Sequence, residues 1–194
     1  MSVETISIIA VILLGITSVL LLVSQNWRMS MIALVAQYLA VFWLVALVWS
    51  INLAMVKLVT GWMVIAIIAA SQPTRDYQDR RFATVPGILI KLLSTIMIGL
   101  LVFSLAPELS KAIPTGMTLI WGGLILIGMG LLQLGFSTHI SRIFLGLFTL
   151  LSGFEILYAA VEDSMLVEGL LVIINLGVAL ICSYLLTVST LEVE

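Results

Sequence analysis

Seven apolar stretches, each about as long as a membrane crossing, decide what this chain can fold into. They run at about 5–23, 30–49, 51–70, 86–106, 116–134, 141–160 and 165–188. A helix rises about 1.5 Å per residue, so about 20 apolar residues cross a 30 Å hydrocarbon core. Each run is far longer than a buried strand, and the runs do not alternate in the way that barrel strands require. In lipid the backbone must satisfy its own hydrogen bonds, which leaves helices. The expected fold is therefore all-α, a polytopic helix bundle with seven transmembrane helices, forming a single transmembrane domain over 1–194.

Composition removes the other classes. Hydrophobic residues make up 62% of the chain and charged residues 9%. A soluble domain carries about 25% charged residues, so this chain cannot cover a water-facing surface. A soluble enzyme, a disordered tail and a nucleic-acid binder are excluded. The net charge of −2, with eight Lys and Arg, gives no field for phosphates. The single Cys182 forbids a disulfide scaffold, and the single His139 forbids a multi-histidine centre. No bound metal and no cofactor are expected.

Polar breaks mark the ends of the spans. Ser24, Gln25, Asn26 and Trp27 close the first. The segment from 30 to 70 is too long for one crossing and has one polar hinge, Ser50–Ile51–Asn52. Residues 71–84 form the main hydrophilic loop, with Arg75, Asp76, Asp79, Arg80 and Arg81 as a solvated anchor. Pro107 and Pro114 bracket a short loop with Glu108 and Lys111; Glu162, Asp163 and Ser164 form the last one. Trp27, Trp49 and Trp121 fit interface positions, and Trp43 and Trp62 fit deeper ones. Glu4, with no basic residue before the apolar run, argues against a signal peptide, so the first span is expected to remain.

Orientation follows from the basic residues. The odd-numbered loops hold Arg28, then Arg75, Arg80 and Arg81, then Arg142; Lys91 lies one turn inside the fourth span and can snorkel to the same side. The even-numbered loops hold only Lys111. Basic residues concentrate in cytoplasmic loops, which predicts an outside N-terminus and a cytoplasmic C-terminus.

Small residues give a packing signal. Gly116, Gly123, Gly130 and Ser137 recur every seven residues, and Gly146 and Gly153 repeat that spacing in the next span. Small side chains let helix backbones approach in lipid. The stripe fits packing within the bundle, or alternatively a docking face for another subunit.

Three ionisable residues inside the spans need a use or a partner, because one charge at the bilayer centre costs about 2.5–3.5 kcal/mol. Lys57 lies about 9 Å from the outer end of the third span, Glu155 about 7–8 Å from that of the sixth, and Glu168 about 4–5 Å into the seventh. All three fall in the outer half, and a Lys57–Glu155 pair forms if helices three and six touch. Ser152 and Tyr158 share a face with Glu155; Asn175 and Cys182 share one with Glu168. Together they describe a hydrated ion or proton track, a static pair that locks helices, or a contact for lipid or substrate. His139 sits in a loop with Arg142, a solvated position. The few polar residues contain no catalytic Ser/His/acid or Cys/His set.

Three segments resemble a known family. MVKLVTGWM, around Lys57, resembles the lysine-bearing third helix of the E subunit found in membrane-bound group 4 hydrogenases. LLQLGFSTHISRIFLGLFTLLSGFEILYAAVED resembles the later helices of that same protein. It also resembles the K subunit of respiratory complex I and the C subunit of cation/proton antiporters of the multisubunit type. LGVALICSYL resembles the end of the K subunit's last helix. The resemblance implies that Glu155, in SGFEIL, joins a central hydrophilic axis. It also implies an accessory role in a proton- or sodium-translocating complex, beside a larger antiporter-like subunit and other integral subunits, in a bacterial or archaeal inner membrane. The arginine pair found in the corresponding loop of the K subunit is reduced here to His139 and Arg142. A stand-alone transporter or channel for a small solute and a purely structural membrane scaffold remain as other readings.

Overall fold

A computed structural model describes residues 3–24, 26–72, 85–113, 115–162 and 164–191. Among them are seven helices: α1 (Val3–Val23), α2 (Trp27–Val45), α3 (Ile51–Ala70), α4 (Val85–Ala112), α5 (Met117–Phe136), α6 (Ile140–Val161) and α7 (Met165–Leu191). Each is long and apolar enough to cross a membrane, and no strand occurs among the described residues. The chain is a polytopic all-α membrane protein. The expected loop residues Gln25, Arg75, Asp76, Asp79, Arg80, Arg81, Pro114 and Asp163 lie outside the described residues.

Hydrogen bonds between elements fix the alternating threading. At one end, Trp49 Nε1 donates to the Glu162 carbonyl at 3.2 Å, tying the α2–α3 turn to the α6–α7 turn. At the other end, Arg142 Nη2 donates to the Ser24 carbonyl at 2.8 Å and Lys91 Nζ to the Leu22 carbonyl at 3.0 Å. Both cations thus cap the carbonyl end of α1, where the helix dipole is negative. Ser71 and Ser183, 2.5 Å apart, join the ends of α3 and α7 on that same side. The loop residue Arg142 and the span residue Lys91 therefore share one end of the bundle, the basic end, opposite Trp49 and Glu162.

Two apolar clusters fill the interior. One joins Leu14 of α1, Val41 and Leu44 of α2, Leu126 of α5 and Ile156 of α6. The other joins Leu34 and Tyr38 of α2, Val64 and Ile68 of α3, Phe148 of α6 and Cys182 of α7. The tightest helix pair is α5 with α6. A Cβ on Gly130 would lie 2.6 Å from the Leu150 nitrogen, and one on Gly153 would lie 2.7 Å from the Gly123 carbonyl oxygen. One on Gly123 would meet Leu157 at 2.6 Å, and one on Gly146 would meet the Leu134 nitrogen at 3.1 Å. These four glycines therefore sit where two backbones touch. Gly116 does not: it precedes α5, and a Cβ there meets only Leu119 and Thr118 of its own turn.

The structure departs from the sequence reading at the end of the fourth span. Pro107 does not end the fourth span; α4 carries through it to Ala112, 28 residues in all. A proline removes one donor and strains one turn, and the turn that follows is held by Ser110 Oγ bonding the Pro107 carbonyl and by an exposed Lys111–Glu108 pair at 2.8 Å. Trp49 stands at the end of the bundle, buried against the α6–α7 turn, and Trp43 and Trp62 face outward from α2 and α3.

Candidate functional site

The α3, α6 and α7 helices each contribute one ionisable side chain to a single buried cluster. Lys57 Nζ makes a direct ion pair with Glu155 Oε1. Glu168 Oε1 lies 3.9 Å from the same nitrogen. Asn175 Nδ2 donates to Glu155 Oε1 at 2.6 Å. None of these four residues is more than 3% exposed. The cluster therefore holds one cation, two carboxylates and an amide inside a bundle of membrane-crossing length.

Local structure explains how they meet. Glu155 projects from the α6 face that carries Thr149, Ser152, Ile156 and Ala159, all buried. Glu168 occupies the first turn of α7, where free backbone N–H groups favour a negative charge. Asn175 follows two turns later on the same face. Lys57 is the reaching partner. The helices α3 and α6 each pack on α2 and on α7, but not broadly on one another. The long lysine stem crosses that gap, and its burial in apolar surroundings is compensated at the head by Glu155.

The sequence reading missed the contribution of α2. Tyr38 is buried with its hydroxyl beside Ser152 and Glu155. Its ring lies directly against Gly61 of α3, where a Cβ would overlap the ring carbons. Gly61 is one turn after Lys57, so the absence of its side chain makes the space in which the tyrosine reaches the cluster. The available signal was Gln37–Tyr38, two polar residues in the middle of an otherwise apolar span. Tyr158, expected to line the track, stands elsewhere. It stacks on the outward-facing Phe154, with ring centroids 6.3 Å apart, and no hydrogen bond or ion pair joins it to Lys57 or Glu155.

Several polar atoms here have capacity left over. Glu155 Oε2, both Glu168 oxygens, Asn175 Oδ1, Ser152 Oγ and Tyr38 Oη are buried without a hydrogen-bond partner. Such groups are costly in a dry interior, and the cluster leaves hydrogen-bonding capacity unused. It has no arrangement of a metal centre: among the described residues no group of three or more His, Cys, Asp or Glu could hold an ion. His139 precedes α6 as its N-cap residue, far along the helix from Glu155. No known family, no curated protein and no solved structure matches this chain.

Proposed function

We propose that the chain is an accessory membrane subunit of a proton- or sodium-translocating complex related to complex I or membrane hydrogenase. Lys57 and Glu155 contribute charge to the ion path, and the bundle docks a larger antiporter-like subunit. The observation that carries this reading is the buried Lys57–Glu155–Glu168 cluster with its spare acceptor atoms. One cation faces two carboxylates, so one added proton, or one small cation, makes the set neutral. A bundle needing only a helix lock gains nothing from the second carboxylate, because each buried charge is expensive.

The orientation belongs to this proposal. The basic end of the bundle faces the cytoplasm, in line with the excess of basic residues there. On that placement the cluster lies nearer the outer surface. The bundle's broad outward apolar surface on α4 is area for lipid or a neighbouring integral subunit to cover.

A second reading, a structural scaffold, is favoured by the direct contact between Lys57 and Glu155 and by the Asn175 bond that braces it. Glu155→Gln and Lys57→Ala in membranes that depend on the chain for ion pumping separate the two. The translocation reading expects assembled complex with pumping lost. Normal pumping with normal assembly overturns it, and lost assembly with pumping intact in the residual complex favours the scaffold. Recovery of a stable larger membrane partner in mild detergent supports the subunit reading; a monodisperse chain alone supports a stand-alone transporter.

A further inference from the structure

The charge cluster is not the only polar matter inside the bundle. Gln37 of α2 is completely buried, and neither its amide nitrogen nor its oxygen has a partner. It lies on the stripe Leu34–Gln37–Val41–Leu44, the four least exposed positions of α2, so it faces the bundle interior. Ser18 of α1 is likewise completely buried with an unpartnered hydroxyl. Its carbonyl accepts from Gln133 Nε2 of α5 at 3.4 Å. Gln133 in turn lines a small cavity with Ser137, Lys91 and Arg142 at the basic end, about 10 Å³ in size, which is the room one water needs.

Depth along the helices orders these groups. Measured from the basic end at 1.5 Å per residue, Gln133 stands about 5 Å in, Ser18 about 8 Å, Gln37 about 15 Å, Ser152 about 18 Å and Glu155 about 22 Å. Successive axial steps are about 3–7 Å, and each step joins helices that pack on one another, α5 to α1, α1 to α2 and α2 to α6, so bridging waters have adjacent faces to span. A buried water typically takes about three hydrogen bonds from otherwise unsatisfied groups, and this column supplies unsatisfied groups at each level except the cavity mouth, where Ser137 Oγ and Gln133 are already bonded. The neighbouring positions Val41 and Leu44 supply none.

We propose that Ser18, Gln37, Tyr38 and Ser152 hold a thread of buried waters that connects Glu155 to the cavity lined by Gln133 at the basic end. The thread is a half-channel. It gives Glu155 access to one side of the membrane, and Lys57 stands against Glu155 at its far end. This rests on the ion-path reading above and adds to it the side from which the carboxylate is reached and the residues that carry the connection.

Water-edited solid-state NMR of the full chain in lipid bilayers tests it, reading magnetisation transfer from water to individual side chains. Gln37 and Ser152 are expected to receive transfer several-fold faster than Val41 and Leu44, which are equally buried on the Gln37 stripe of α2. Transfer to Gln37 no faster than to Val41 overturns the thread. In Gln37→Leu, transfer to Ser152 is expected to drop to the level of Val41 while transfer to Ser18 persists; unchanged transfer to Ser152 overturns the proposed order. Ser18→Ala, which removes one oxygen and little volume, gives the same readout in case the larger substitution disturbs folding. In ion-pumping membranes Gln37→Leu is expected to slow translocation about tenfold. The two ideas fail separately. A dry Gln37 removes the thread and leaves the Glu155→Gln pumping result untouched, whereas normal pumping by Glu155→Gln removes the ion-path reading whatever the wetness of Gln37.

Discussion

Lys57 and Glu155 form an ion pair although the helices that carry them are not packed neighbours; the lysine stem spans the gap between α2 and α7 to reach α6. The pair therefore couples α3 to α6 through one side chain. Removing one partner leaves the other charge buried and uncompensated, which costs about 3–5 kcal/mol. Lys57→Met is expected to lose that much in reversible unfolding from bicelles, and Lys57→Met with Glu155→Leu is expected to recover most of it. A double variant no more stable than the single one would remove the pair as the source of the loss.

Glu168 is the second carboxylate facing Lys57, at 3.9 Å rather than in direct contact. Its replacement by Gln keeps shape and removes one negative charge. Stability is expected to change by less than about 1 kcal/mol, the net worth of an ordinary polar contact, since the closer Glu155 pair remains. Pumping falls if the second carboxylate carries protons. Unchanged pumping in Glu168→Gln assigns the charge work to Glu155 and Lys57 alone.

The glycines of α5 and α6 divide into two classes that a thermal-shift series in detergent separates. Gly130→Ala places a methyl 2.6 Å from the Leu150 nitrogen, and Gly153→Ala places one 2.7 Å from the Gly123 carbonyl. Each is expected to destabilise by about 1–3 kcal/mol through overpacking. Gly135→Ala meets nothing within 4 Å and is expected to hold or gain up to about 1 kcal/mol from helix propensity.

Gly61→Ala probes the α2–α3 contact in a different way. A methyl there overlaps the ring of Tyr38, so the ring must leave and its hydroxyl moves away from Ser152 and Glu155. Loss of about 1–3 kcal/mol is expected, together with a changed tyrosine environment by fluorescence or NMR. The double variant Gly61→Ala with Tyr38→Ala should regain part of it; no recovery would mean that the clash lies elsewhere.

Sidedness is open to direct labelling, because the one native thiol, Cys182, is buried. Thr138→Cys, at the basic end, is expected to react with an impermeant reagent from the cytoplasmic side, and Glu162→Cys from the outside. Reaction of both from the same side would sink the seven-crossing arrangement.

The sequence by itself determined that the chain is helical, membrane-spanning and folded into seven crossings, because lipid forbids any other backbone solution for seven long apolar runs. It also marked Lys57, Glu155, Glu168 and Asn175, since polar groups in such runs are too costly to be incidental. Tertiary structure alone decided which of them meet. Helical periodicity places a residue on a face of its own helix, but says nothing about which other helix that face finds. That is why Tyr38, seated over Gly61, enters the cluster, and Tyr158, on the same helix as Glu155, turns away to Phe154. The run through Pro107 had a local cause instead: the bonds that hold the turn beyond it join residues three apart on the same helix.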